Sequence, residues 1–184
     1  MPLRKFIVIP LIIAALAFII QCVDQVLHVY AFPFENAGFG WIAFISWAMY
    51  FMAGCTVNGG IKVFLNYVSG IIASVAIMSM GGQLAPSLGF FAFPIAVFIV
   101  VVFCILLERT EWFNFIPALF VGAGTYFGFM SYVPGATFLN AGITEMIYCT
   151  LGLLFGYVTV YLRGHYEAHV EKQEHEEHAK GHAH

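Results

Sequence analysis

Charge is what this chain has least of. Only 9% of its 184 residues are Asp, Glu, Lys or Arg, against 61% hydrophobic, and the mean hydropathy is +0.89. A soluble domain carries about 25% charged residues, so water is not the solvent for most of this sequence. Lys and Arg number seven and nowhere form the basic stripe that nucleic acid requires, which argues against a nucleic-acid partner. Paired cysteines are lacking too. Cys22, Cys55, Cys104 and Cys149 stand far apart inside apolar stretches, without CxxC or zinc-ligand spacing, and read as small packing residues. The catalytic signatures GxSxG and HExxH are missing, and the apolar runs contain neither paired aspartates nor a metal-ligand cluster. The expectation is a protein that is not an enzyme and needs no cofactor.

What the chain has is long hydrophobic runs, at 6–30, 38–57, 63–80, 90–107, 113–133 and 140–162. A bilayer-spanning helix takes about 20 apolar residues. The runs therefore predict an all-α, polytopic membrane helix bundle of six transmembrane helices over residues 1–162, with a His/Glu-rich cytoplasmic tail at 163–184. The links between runs are short, at 33–37, 58–62, 81–89, 108–112 and 134–139, a length that suits antiparallel neighbours. The first run follows Arg4 and Lys5 as a signal peptide would. It exceeds the usual apolar region of about 7–15 residues and lacks an A-x-A site, so it is read as a retained span. With a cytoplasmic N-terminus, Arg4, Lys5, Lys62, Arg109, Arg163, Lys172 and Lys180 all fall inside and the outer links hold no cation. Every cation thus obeys the positive-inside tendency, which predicts that both termini are cytoplasmic.

Two patterns bear on how the helices pack. Tyr50-Phe51, Gly59 and Phe64-Leu65-Asn66 echo Tyr126-Phe127, Gly135 and Phe138-Leu139-Asn140, the trace expected of a 3+3 inverted repeat that builds a site near the midplane. Small residues line helix faces at Gly124-x3-Gly128, at Gly152-x3-Gly156, and at Ser69, Gly70, Ala73 and Ser74, which predicts close helix contact within the bundle or between subunits.

Because an ionisable group at bilayer depth costs at least about 2.5–3.5 kcal/mol, the acids within the runs are the strongest hints of function. Asp24 lies in the first run, with Gln21 and His28 one turn before and after it on the same face. Glu145 lies in the sixth, next to Thr144. Asp24, His28 and Glu145 are candidates for lining a polar vestibule, binding a solute or exchanging protons, with Asn66, Gln83 and Asn140 along the same solute or proton path. The competing reading is structural: a helix end reaching for the headgroups, with Asp24 and His28 satisfying each other, and amides serving as caps or interhelical bonds. Aromatics, 17% of the chain, default to packing and interfacial belts.

The tail spaces His165/His169 and His175/His178 about one helical turn apart, a spacing that could hold zinc or nickel weakly or sense pH. An exposed helical extension is the plainer expectation, because these imidazoles lack a fixed second shell.

Residues 41–70, WIAFISWAMYFMAGCTVNGGIKVFLNYVSG, carry an aromatic pair, a Tyr-Phe, a Gly-Gly and a Lys before Asn. This stretch resembles a family of small bacterial inner-membrane proteins known as domain of unknown function 1097. The likeness covers residues 6–162 and leaves out the tail. It implies a multi-span inner-membrane fold and no catalytic residues. Function then rests on the residues, which leave two readings open. The first is a homo-oligomeric channel or secondary transporter for a small neutral or weakly acidic solute, such as urea, ammonia, a short amide or a protonated carboxylic acid. The second is a non-transporting scaffold, sensor or accessory subunit acting through its tail.

Overall fold

Backbone amides and carbonyls entering hydrocarbon have no water to bond, and a helix satisfies them within a single run. Each of the six apolar runs accordingly contains an α-helix in the computed structural model, which describes residues 3–31 and 38–181 and side chains as far as residue 176. After a helical turn at Leu3–Phe6 come α1 (Val8–Tyr30), α2 (Gly40–Met52), α3 (Val57–Leu88), α4 (Ala92–Leu106), α5 (Ile116–Tyr132) and α6 (Phe138–Gly181). Single 3-10 turns, Gly89–Phe91 and Leu107–Arg109, flank α4. The described residues contain no strand, and the fold is an all-α membrane bundle. The link expected at 33–37 and the side chains of His178, Lys180, His182 and His184 lie outside the described residues.

Three helical stretches, Leu3–Tyr30, Val57–Arg109 and Phe138–Glu176, are long and apolar enough to cross a bilayer. α2 has 13 residues; at 1.5 Å per residue it rises about 20 Å, short of the roughly 30 Å hydrocarbon layer. Two helices outrun their apolar runs. α3 absorbs the expected links on both sides, starting from Thr56, whose hydroxyl accepts from the Gly59 N–H at 3.0 Å, the usual N-cap geometry. α6 passes Leu162 without a break, because the tail is rich in Glu, Lys, Ala and His, contains no proline, and pairs Arg163 with Glu167 at i,i+4.

The packing is reciprocal. α2 lies along α6 and α5 lies along α3, while α1 joins α6 and α4 joins α3. Both lengthwise pairs are close because a glycine replaces a side chain at the crossing. A Cβ on Gly152 would strike the Ala43 carbonyl and the Ser46 hydroxyl, and one on Gly70 would strike the Leu119 carbonyl. The links into α3 and α6 also match: a glycine with left-handed φ (Gly54 at +91°, Gly135 at +74°) stands two residues before a threonine N-cap, Thr56 or Thr137. A Cβ on Gly156 would meet Tyr50 across the α2 and α6 crossing, whereas one on Gly124 or Gly128 would meet nothing among the described residues within 4 Å. The small-residue faces on α3 and α6 therefore pack inside the bundle, and the one on α5 does not. The pairing of 64–66 with 138–140 is not the one the links define: Phe138 starts α6, while Phe64 is two turns into α3.

Large apolar side chains remain exposed around the outside, among them Phe18, Phe90, Phe98 and Leu139. Such a surface is what a lipid-immersed bundle presents, and far more than a soluble monomer tolerates.

Candidate functional site

Two acids are buried in the bundle, Asp24 at 2% and Glu145 at 0% exposure, and the structure gives them different surroundings. α1 carries Asp24 to the start of α2, where the first helical amides have no partner in their own helix and the dipole favours negative charge. Asp24 Oδ1 accepts from the Phe39 N–H at 3.0 Å and from the Tyr148 hydroxyl of α6 at 2.6 Å. The other carboxylate oxygen lies against Gly38 and Gly40, where a Cβ at either position would crowd it. Phe39 stacks on Phe129 at 4.7 Å and meets Tyr148 edge-on at 5.9 Å, closing an apolar cover over the group. Asp24 thus ties three helices together by capping one of them from outside.

Glu145 sits one turn before Tyr148 on α6 but faces α5 and α3. Its Oε1 is hydrogen-bonded to the Thr125 hydroxyl, which also lies 3.0 Å from the carbonyls of both Val121 and Gly122. Glu145 Oε2 is buried with no hydrogen-bond partner among the described residues, and so are the Tyr67 hydroxyl of α3 and the Thr144 hydroxyl. The Tyr67 and Tyr126 hydroxyls and the Cys149 thiol lie within electrostatic range of the carboxyl. Neither ion pair found among the described residues includes Glu145; they are Lys5–Glu174 and Arg163–Glu167.

The other residues singled out from the sequence scatter. His28 makes no bond to Asp24, and its Nδ1 is buried without a partner among the described residues. Asn66 is fully buried and donates to the Lys62 carbonyl at 2.8 Å and the Trp112 carbonyl at 3.2 Å, fastening α3 to the link that leads into α5. Asn140 caps α6: its Oδ1 accepts from the Thr137 N–H at 2.7 Å and its own N–H donates to Thr137 Oγ1 at 3.2 Å. Gln83 is exposed near the end of α3. In the tail, His165, His169 and His175 are exposed, and the described residues hold no cluster of three His, Cys, Asp or Glu able to bind a metal. One face of the tail is engaged: Tyr166 donates to the Lys5 carbonyl at 2.6 Å, Val170 is buried, and Glu174 meets Lys5 at 3.4 Å.

Sequence reasoning missed Tyr148, Tyr67 and Thr125. Tyrosines at bilayer depth read as packing, and only their spacing from an acid, one turn from Glu145 in the case of Tyr148, marks them otherwise. The clefts between helices are lined mostly by apolar side chains and open on the outer surface, as where α2, α3 and α6 meet at Tyr50, Ile61, Phe64 and Leu154.

A protein-family model matches residues 8–163. The chain belongs to that family, described as Protein of unknown function (DUF1097). The matched stretch holds both buried acids with all their partners and stops where the tail leaves the apolar part of α6, so the two carboxyl sites fall within the family portion and the tail falls outside it. No curated protein and no solved structure matches the chain.

Proposed function

We propose that this DUF1097 protein is a carrier for a small neutral or weakly acidic solute (urea, ammonia, a short amide or a protonated carboxylic acid) in the bacterial inner membrane. One observation carries the reading: a fully buried carboxyl, Glu145, whose second oxygen has no donor among the described residues, at the junction of α3, α5 and α6. A polar group at that depth is costly and is retained for ion or solute handling. The six helices are taken as six crossings with both termini cytoplasmic. The meeting of Lys5 with Glu174 supports this, because an even number of crossings brings the two ends to one side. The reciprocal pairing of α2 with α6 and α5 with α3 supports an inverted repeat, an architecture whose sites lie between the halves. The apolar lining of the clefts favours a carrier that opens by helix movement over a standing pore. Six helices are few for a self-contained pathway, so the working unit is taken to be a homo-oligomer.

Flux into proteoliposomes across a panel including urea and acetate tests the proposal. Solute-selective permeability that changes in Glu145→Gln, with the fold retained, is the expected result; permeability no greater than that of empty vesicles for every solute would sink it. The anchored tail favours a second reading, a membrane scaffold or accessory subunit whose contact surface is the helix beyond Leu162. Under that reading Glu145→Gln changes stability alone.

A further inference from the structure

We infer that Glu145 is a proton-binding site, holding one proton as a neutral carboxylic acid between α5 and α6 in this packing, and that solute movement is coupled to the loading and release of that proton. The second half rests on the carrier reading; the first does not.

The argument is one of hydrogen-bond supply. A threonine hydroxyl has one proton to give and two lone pairs, yet Thr125 Oγ1 lies within bonding reach of two backbone carbonyls as well as Glu145 Oε1. With Glu145 as the acid, the proton supply suffices: the carboxyl O–H donates to Thr125 Oγ1, the Thr125 proton goes to the Val121 or Gly122 carbonyl, and Oε2 is left as a neutral carbonyl oxygen. As a carboxylate, Glu145 would take the only Thr125 proton and still leave charge on Oε2, which is fully buried and has no donor among the described residues. An unpaired buried charge is far more costly than a neutral buried acid. The groups within electrostatic range of it among the described residues are the Tyr67 hydroxyl from α3, the Thr125 and Tyr126 hydroxyls from α5, and the Cys149 thiol of its own helix. All of them are neutral hydrogen-bonding groups, and none supplies positive charge.

Release is a plain ionisation. The carboxyl O–H bond breaks, its electron pair stays on the carboxylate, and the proton leaves to water or to a basic solute. Tyr67 is the residue placed to answer that change. Its hydroxyl is buried and unpartnered among the described residues and lies within electrostatic range of the carboxyl, which makes it the donor available to a charged Oε2. Asp24 provides the contrast within the same chain, with its two donors already supplied by a backbone amide and Tyr148.

The test uses the full chain in proteoliposomes and two readouts. Infrared difference spectra at neutral pH should show a protonated-carboxyl C=O band that shifts in D2O, persists in Tyr67→Phe and disappears in Glu145→Gln. The D2O shift in the unaltered protein needs no variant and so survives any folding defect. Absence of the band from the unaltered protein, or its survival in a folded Glu145→Gln, overturns the proton site. The second readout is acetate or urea flux with and without an imposed pH gradient. Stimulation by the gradient that is lost in Glu145→Gln supports coupling. Selective flux indifferent to the gradient overturns the coupling and leaves the carrier reading standing. A band without any selective flux overturns the carrier reading and the coupling with it, while leaving the proton site.

Discussion

Asp24 and Glu145 are both carboxyl groups sunk in an apolar bundle and both belong to α6 contacts, yet they pose opposite problems for the fold. Asp24 meets a helix start and a tyrosine hydroxyl, so its burial cements α1, α2 and α6 into one unit. Glu145, three residues before Tyr148 on the same helix, is given one hydroxyl and an oxygen left over. Depth alone therefore does not separate the two acids; what separates them is whether the set of hydrogen-bond donors is complete.

Four substitutions break or sharpen this contrast. The largest effect is expected from Asp24→Ala, which removes the acceptor shared by Phe39 and Tyr148. At about 1.5–3 kcal/mol for each bond to a charged group, it should cost roughly 3–6 kcal/mol in denaturant unfolding in detergent, and a loss under about 1 kcal/mol would show that the clasp is not needed. Next comes Gly38→Ala. Its φ of +103° and the carboxylate at its Cβ position both oppose a side chain, for a cost of about 2–3 kcal/mol seen as a lowered melting temperature. Tyr148→Phe deletes a single donor to Asp24 and should cost about 1.5–3 kcal/mol in the same denaturant assay. Tyr67→Phe is its counterpart at the other acid. Because the Tyr67 hydroxyl has no partner to lose among the described residues, its effect on stability should stay within about 0.5 kcal/mol, while any gradient-driven flux slows. Equal penalties for Tyr67→Phe and Tyr148→Phe would erase the distinction between the two acids.

Much of the architecture was legible before any coordinates. Apolar runs near bilayer length announced the helices, and the glycines at 152 and 156 announced a close crossing. The helix ends were harder to read. Whether a helix stops at Leu162 depends on the propensity of a polar, exposed segment, which hydropathy does not report, and Thr56 extended α3 backwards through residues that read as a loop. The site was half legible. Asp24 and Glu145 stood out because charge in hydrocarbon is expensive, but their partners come from 124 and 20 residues away. Only the fold decides that a tyrosine faces one acid and a threonine the other. Polarity groups Asn66 and Asn140 with the acids, and their geometry is that of the interhelical fastener and helix cap which the competing reading of the amides expects.

The continuity of α6 has a mechanical consequence. One unbroken rod runs from the Thr137 cap past both acid contacts to the stretch where Tyr166 and Glu174 grip Lys5 of the N-terminal segment. A rod transmits torque, and a flexible hinge would absorb it. Any force that twists or tugs the protruding arm therefore also turns the neighbourhoods of Tyr148 and Glu145, so the far end of the helix is a handle on both buried acids.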